Sequence, residues 1–563
     1  MQTGKGSSPW SAADFAQIET ALWQDDQRAA IDLAWLQLSW QEPRRFLAAL
    51  HAYSERREKN QSKSIPWSRY DFYYDVLGQQ KEQATSALIW FDSGVWRSWS
   101  YAELGNRVNS LAATWEETGV QPGDTLAILY PQGPHWLTAL LAGLRLGLVI
   151  TLLPPQGNAF VSRRLDNLAP QWLAMDQLYR HQLAAIWQNN VLPNTLSSLQ
   201  PTRRPYEYPG TAVAVQCFDP TSPTPDIPCP VDANTLYLGA LRDGILALGI
   251  RPGETCAAPG WHGLESQPAL VLAVLLNGAT WVHIDLADLK KTPELLLEQP
   301  IDVLGISRSL RDLLLVNPPV GDKPWRYWFR HPAESSNFTV WQDFIQTLQL
   351  ENIFSGNLLC IAARGGAILF SPRYRGQPHH TVLPAAATCW QLGMIDAPDL
   401  PSVGGWGRMA LGKMEGEEAA WTATPFILTP YLNVWSYLSQ YPLGRAARTY
   451  PKSEVLDLLS GQVRYLALVE AFAHGSEADP LHVLLAFGPG VDAAALQALI
   501  ETELGSEFLP DRIECLPLLP KRNSDGGADQ EWCQFHYVTG ELYRRQRNKM
   551  YCCLSELKQK VLA

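Results

Sequence analysis

The chain has 563 residues, 46% of them hydrophobic and 18% charged, which is the composition of a globular protein long enough for two or three domains with cores of their own. Its formal net charge of −11 excludes a general nucleic-acid binder, because phosphate contacts need surplus cations. The start, Met1-Gln-Thr-Gly-Lys-Gly6, has no apolar signal core and no run of about eighteen apolar residues occurs, so a cytoplasmic protein without a membrane span is expected.

Residues 10–60 read as helix. Phe15, Ile18 and Leu22, then Leu33, Leu36 and Leu38, recur at helical spacing, and Ser11 or Asp14 can cap. Lys59 to Pro66 is polar and reads as a linker. From Ser86 the pattern turns to strand–helix alternation. Ala87–Phe91 and Trp96–Tyr101 read as strands, Ala102–Thr118 as helix, Gly119–Asp124 as a turn and Thr125–Tyr130 as a buried strand. A helix over Gly133–Leu146 and a strand over Val149–Leu153 follow. Further on, Thr235–Leu248 and Gln267–Asn277 read as helices, and Ala279–Ile284 and Ile301–Ile306 as strands. Such alternation predicts an α/β domain around a mainly parallel sheet. From Ser453 the order is helix, strand (Leu466–Phe472), strand (Leu481–Phe487), helix (Ala493–Leu504) and strand (Arg512–Leu516), which predicts a small α+β lobe.

Nine cysteines is an odd count, and none forms a Cys-x-x-Cys pair. Adjacent Cys552 and Cys553 suit neither an ordinary disulfide nor zinc, so reduced thiols are expected. The twenty-two tryptophans read mostly as core or interface residues. Arg544, Arg545, Arg547, Lys549, Lys558 and Lys560 make a basic run near the C-terminus, read as a solvated helix face or as a dock for an acidic partner.

The segment Thr221-Ser-Pro-Thr-Pro-Asp-Ile-Pro-Cys-Pro230 carries the most information. No glycine lies between Gly210 and Gly239, and no Lys or Arg between Arg204 and Arg242. A loop that wraps a polyphosphate needs glycines, so that backbone N–H groups can turn inward, and a cation to offset charge. This one has neither.

In outline that segment resembles the Thr-Ser-Gly-Thr-Thr-Gly-x-Pro-Lys-Gly loop of the adenylate-forming superfamily of acyl- and aryl-CoA ligases, peptide-synthetase adenylation domains and luciferases. Thr221, Ser222, Thr224 and Pro228 match, and Cys229 stands at the lysine. Over about residues 76–525 further landmarks resemble the family in its order: Trp99–Leu104, Gly119–Asp124, Ala142–Gly147, Pro259–Gly263, Leu276–Thr280, Gly365–Ala367, Ser402–Gly404, Gly444-Arg445, Glu454-Val455, Phe508–Pro510 and Leu516-Pro517. The resemblance implies an α/β fold with a large N-terminal adenylate-forming-type domain of stacked sheets and helices, and a small α+β C-terminal lobe. The expected boundaries are a helical extension at 1–75, the large domain at 76–444 and the small lobe with its basic helical tail at 445–563.

The family's chemistry joins a carboxylate to the α-phosphate of ATP and passes the acyl group to a thiol. It needs phosphate donors, acids for magnesium and ribose, and a lysine for developing charge. The magnesium glutamate falls at Cys389, after Ala385-Ala-Ala-Thr388, and hard magnesium is not held by a thiol. The ribose aspartate falls near Pro430, and no Asp or Glu occurs from Ala419 to Ser453. Gly444-Arg-Ala-Ala-Arg448 lacks the hinge aspartate. The catalytic lysine falls at Asn523, with Lys521 and Arg522 beside it.

By the same resemblance, His262 either lids an acyl pocket or is kept for packing. Gly365, Gly366 and Ala367 line the adenine or serve tight packing. Arg445 is a phosphate-directed arginine or a salt-bridge partner. His379-His380 read as exposed loop residues, and Cys389 as an inert buried thiol. No metal ligand set is expected, and no cofactor; ATP or CoA would be the exceptions.

The preferred expectation is a degenerate acyl-CoA-ligase-like protein, a pseudoenzyme assisting an acyl carrier protein or synthase in an acyl or polyketide pathway. The alternatives are an acid–thiol ligase using a site rearranged around Lys521, Arg522 or Arg445, and a CoA- or pantetheine-thioester-binding protein of other chemistry.

Overall fold

The computed structural model describes residues 10–25, 34–57, 61–78, 85–176, 190–197, 200–219, 226–261, 263–331, 338–376, 381–393, 406–412, 420–429, 434–437, 452–471 and 481–547. Two compact units emerge. One comprises residues 1–155, 164–334 and 338–438; the other comprises 156–163, 335–337 and 439–563. Among the described residues, no helix is long and apolar enough to cross a membrane.

The larger unit begins with helices α1 (Ala12–Ala21), α2 (Ala34–Gln41) and α3 (Pro43–Arg57). Ser11 caps α1: its hydroxyl accepts the Asp14 N–H at 3.3 Å, and the Asp14 carboxylate accepts the Ser11 N–H. Phe15, Leu36, Phe46 and Leu50 are wholly buried, and they join the same core as the sheets that follow. The described helices of the N-terminal extension are therefore folded into the large unit.

The polar stretch before Pro66 is not a free linker. Ser64 is buried, and its hydroxyl donates to Asp75 and accepts the Asp71 N–H at 3.0 Å. Tyr237 donates to the same Asp75 oxygen at 3.0 Å, and Ser62 meets the Tyr237 hydroxyl at 3.2 Å. The serines are polar because they serve buried acids, not because they face water.

Two sheets follow. In the first, β3 (Thr125–Leu129), β4 (Val149–Leu152), β5 (Trp172–Met175), β6 (Val213–Phe218) and β7 (Pro228–Asp232) lie in the order β7-β6-β4-β3-β5, all parallel except the β6–β7 hairpin. In the second, β1 (Ser86–Asp92), β8 (Thr255–Ala257), β9 (Thr280–His283), β10 (Val303–Ile306), β11 (Tyr327–Arg330) and β12 (Phe354–Ile361) run parallel in the order β12-β11-β10-β8-β9-β1. The antiparallel strand β2 (Val95–Ser100) closes one edge. At the other, β13 (Gly366–Phe370) and β14 (Thr381–Pro384) continue antiparallel from β12.

Helix α4 (Tyr101–Thr118) starts at a reciprocal cap between Ser100 and Glu103 and ends at Gly119. Gly119 takes φ +98°, the left-handed stop that glycine provides without a Cβ penalty. Helix α5 (Pro134–Leu146) has proline at its first position, and α6 (Ala233–Arg242) is capped by Asp232, which accepts the Thr235 N–H at 2.7 Å.

The smaller unit contains α7 (Lys452–Leu459) and a three-stranded sheet of β15 (Tyr465–Ala471), β16 (Leu481–Phe487) and β17 (Arg512–Leu516), with α8 (Ala493–Glu503), α9 (Gln530–Val538) and α10 (Glu541–Arg547). Strand β16 pairs antiparallel with β15 and parallel with β17. This is the α+β lobe expected from the sequence, as the larger unit is the expected α/β domain.

Candidate functional site

In a parallel sheet, ligands are met beyond the carboxyl ends of the strands. In the larger unit these ends are Ala257, Ile306, Arg330 and Ile361 of β8, β10, β11 and β12. Just past them stand Trp261, buried edge-on against Phe329 at 4.8 Å, and a buried Glu265–His331 pair at 3.4 Å. His262 lies outside the described residues.

The phosphate-loop segment spans the β6–β7 hairpin. Thr221–Pro225 lie outside the described residues, but both roots of the hairpin are defined. Asp219, first after β6, is 3% exposed and bonds Arg364 at 3.1 Å. Asp226 accepts the Asn167 amide at 3.2 Å, and its carbonyl accepts it at 2.9 Å. One root therefore holds an Asp219–Arg364 ion pair and the other the carboxylate of Asp226, where a polyphosphate loop would want positive charge available to the ligand.

Gly365, Gly366 and Ala367 turn from the end of β12 into β13, pressed against α6 and the turn that extends it. A Cβ on Gly239 of α6 would lie 2.0 Å from the Gly365 carbonyl oxygen. Gly366 has φ +116°, and a Cβ there would strike the Asp243 carboxylate at 2.2 Å. Asp243 accepts the Ala367 N–H at 2.5 Å, while Arg242 donates to the Ala367 carbonyl at 2.7 Å. Both polar backbone groups of Ala367 are thus taken by the protein's own side chains. Burial raises the Asp243 pKa, and the adjoining Arg242 guanidinium opposes the rise.

The segment aligned with the family's magnesium-ligand motif is engaged in the same manner. Trp40 of α2 donates its indole N–H to the Ala385 carbonyl at 2.9 Å. Ser39, also of α2, accepts the Ala387 N–H at 3.1 Å, and Arg242 donates to the Ala386 carbonyl at 3.1 Å. The Thr388 hydroxyl turns back onto the Ala385 carbonyl at 2.7 Å. Ala387 holds φ +56°, a left-handed conformation that costs a non-glycine residue about 1–2 kcal/mol. The Ser39 hydrogen bond helps to hold it there.

In the smaller unit, Lys521 Nζ sits 2.7 Å from Asp529, whose other oxygen caps α9 at the Trp532 N–H. Arg522 lies 5.9 Å from the centre of the Tyr465 ring. Asn523, at the family's lysine position, accepts the Asp525 and Gly527 N–H groups at 3.1 and 2.8 Å, closing its own turn. Arg445, Gly444, Pro430, Ser402–Gly404, His379-His380, Cys552-Cys553, Lys549, Lys558 and Lys560 lie outside the described residues, as do the side chains of Cys389 and Arg547. Among the described residues, no cluster of His, Cys, Asp or Glu could hold a metal ion.

The larger unit therefore gathers Gly365–Ala367 and Ala385–Ala386 around Arg242, and Arg364, next to Gly365, ties in the Asp219 root of the hairpin. Sequence reasoning missed Ser39, Trp40, Asp219, Arg242 and Asp243. Only the last two left a signal: a charged pair inside an otherwise apolar helical run.

Parallel sheets, a Gly-Gly-Ala turn at a strand end and an α+β lobe agree with the adenylate-forming fold, and the likeness to solved structures shows that fold for this chain. Residues 78–213 match the family model of the AMP-binding enzymes. Among solved structures, the amide bond synthetase McbA from Marinactinospora thermotolerans is 14% identical, with 83% of this chain and 100% of that one covered at a TM-score of 0.64. Acetoacetyl-CoA synthetase from Streptomyces lividans is 14% identical over 90% of this chain and 94% of its own, at 0.62. NpsA-ThdA, an artificially fused adenylation–PCP di-domain from Klebsiella oxytoca, is 14% identical over 80% and 94%, also at 0.62. No curated protein matches the chain in sequence.

Proposed function

We propose that this protein keeps the adenylate-forming fold as a binding scaffold and does not adenylate a carboxylate. The observation that carries the proposal is the occupation of Ala385–Ala387: one N–H and two carbonyls are bonded to Ser39, Trp40 and Arg242. The residues at the nucleotide position do not fit a magnesium-bound triphosphate. At the hairpin roots the Arg364 guanidinium is already paired with Asp219 and Asp226 brings a carboxylate, while Arg242 is engaged with Asp243 and two carbonyls. Losing the phosphate loop, magnesium acid, ribose acid and lysine together would remove most of the barrier lowering, since one oxyanion-type donor alone is typically worth about 10²–10³ in rate.

The partner class we propose is an acyl carrier protein or its synthase, in an acyl or polyketide pathway. Support comes from the solved di-domain, in which a comparable fold is artificially fused to a carrier domain, and from exposed Arg544 on α10, which shares the single acid Glu541 with Arg545 and so leaves that pair of arginines with a net positive charge. Electrostatic steering by such a cation favours an acidic partner.

Titration calorimetry with ATP-magnesium, followed by carboxylate-dependent pyrophosphate exchange, tests the proposal. No heat of binding and no exchange above buffer are expected. Exchange above background would establish a ligase with a rearranged site instead. Binding of pantetheine thioesters without exchange and without a carrier complex would establish the thioester reading.

A further inference from the structure

The β6–β7 hairpin carries a feature that its departures from the phosphate-loop pattern do not explain. Cys217 on β6 and Cys229 on β7 are directly opposed in the antiparallel ladder, flanked by the pairs Pro228↔Phe218 and Pro230↔Gln216. Pro228 and Pro230 have no N–H, so the ladder's donors at this end of β7 are Cys229 and Val231. Cys217 and Cys229 are thus a hydrogen-bonded antiparallel pair, with Cα atoms about 5.5 Å apart and side chains on one face of the sheet. Disulfides span Cα separations of about 4.4–6.8 Å, a range that includes this pair, and closing the bond draws the two Cβ atoms together by roughly 1 Å. Cys217 is buried in the large unit's core, while Cys229 is half-buried against the edge of that core. Both are thiols here, and only Cys229 is open to a small solute.

We propose that Cys217 and Cys229 form an oxidisable dithiol, a modification site at the root of the hairpin that takes a peroxide. The Cys229 thiolate attacks one oxygen of hydrogen peroxide. The O–O bond breaks, Cys229 becomes a sulfenic acid and one water leaves. The Cys217 sulfur, as its proton is lost, then attacks the Cys229 sulfur. The S–O bond breaks, the S–S bond forms and a second water leaves. The pair loses two electrons and the peroxide gains two. The product ties the two ends of residues 217–229 together, and a thiol reductant reverses it. Cys360 of β12, in the other sheet, is a competitor for Cys217, with which it interacts electrostatically; its own sulfur faces the Ser266 carbonyl at 3.9 Å.

Mass spectrometry of the intact full-length protein tests this whether or not the protein binds nucleotide. After hydrogen peroxide treatment, denaturation and alkylation of remaining thiols, cleavage before aspartates separates Cys217 from the peptide Asp226–Val231. The expected result is that the two peptides travel as one disulfide-linked species, lighter by two hydrogens than their sum and released by dithiothreitol. Cys360→Ser leaves the link intact; Cys217→Ser abolishes it and drives Cys229 to higher oxygen acids. Cys229→Ser, at the less buried position, abolishes it too and guards against misfolding of the core variant. A Cys229 oxidised while Cys217 still takes the alkylating label, or a link from either residue to Cys360, would overturn the proposal.

Discussion

Asp243 accepts the Ala367 N–H through one carboxylate oxygen at 2.5 Å and the Arg242 guanidinium through the other at 2.7 Å. Both side chains are almost wholly buried. In a dry setting an ion pair is favourable only while both partners remain, and removing one strands the other. Asp243→Ala is therefore expected to destabilise the large unit by about 3–5 kcal/mol. A fall in its thermal midpoint, larger than for a surface acid such as Asp322→Ala, checks this. An unchanged midpoint would mean that Arg242 finds other partners.

Ser39 and Trp40 should matter as a pair. Ser39→Ala leaves the Ala387 N–H without its acceptor, and an orphaned buried donor costs about 1–3 kcal/mol. Trp40→Phe removes the donor to Ala385 but keeps most of the ring packing, so a smaller loss is expected. Removing residues 1–57 strips Phe15, Leu36, Phe46 and Leu50 from the core, at about 1.5–3 kcal/mol each. Aggregation of the truncated protein on expression is expected, and a soluble, cooperatively melting product would refute the integration of these helices.

The strand–helix frame was legible because its signals are local. Ser100 with Glu103, Gly119, Pro134 and Gly147 punctuate α4 and α5 within a few residues of each end. The occupation of Ala385–Ala387 was not legible, since Trp40 meets a carbonyl 345 residues away and neither end announces it. Lys59–Pro66 misled for a related reason: Ser62 and Ser64 look solvated in sequence, yet one bonds the core hydroxyl of Tyr237 and the other is buried on Asp75. At Gly365–Ala367, the glycines left both tight packing and adenine contact open. Only the placement of Asp243 and Gly239 identifies what presses on them.

Asp71 gives the fold a pH dependence of definite sign. Burial, against the opposing hydrogen bond from the Tyr74 N–H, pushes its carboxyl up to about 6 from the ordinary 3.8. A raised carboxyl favours the protonated folded state, so its contribution is whole below pH 3.8 and is lost as pH rises through 6. Asp71→Asn keeps an oxygen for the Tyr74 N–H and never ionises. The variant should melt higher than the parent at pH 8 and no higher at pH 4. Parallel melting profiles across that range would count against a raised Asp71.

Lys521 is the cation nearest in sequence to the family's catalytic position, so its behaviour separates a structural role from a chemical one. Its ammonium is exposed yet held 2.7 Å from Asp529, and that ion pair raises its pKa. Asp529 does more: its second oxygen accepts the Trp532 N–H and starts α9, which packs Cys533 and Tyr537 into the small unit's core. Lys521→Ala removes only a surface ion pair, whose contribution is commonly near zero because water and salt screen it. Asp529→Ala also uncaps a helix. The small unit's melting temperature should therefore fall for Asp529→Ala and barely move for Lys521→Ala, with pyrophosphate exchange at background in both. If Lys521→Ala instead abolished a measurable exchange while leaving the melting temperature alone, the lysine would be doing chemistry, and the scaffold proposal would fall with it.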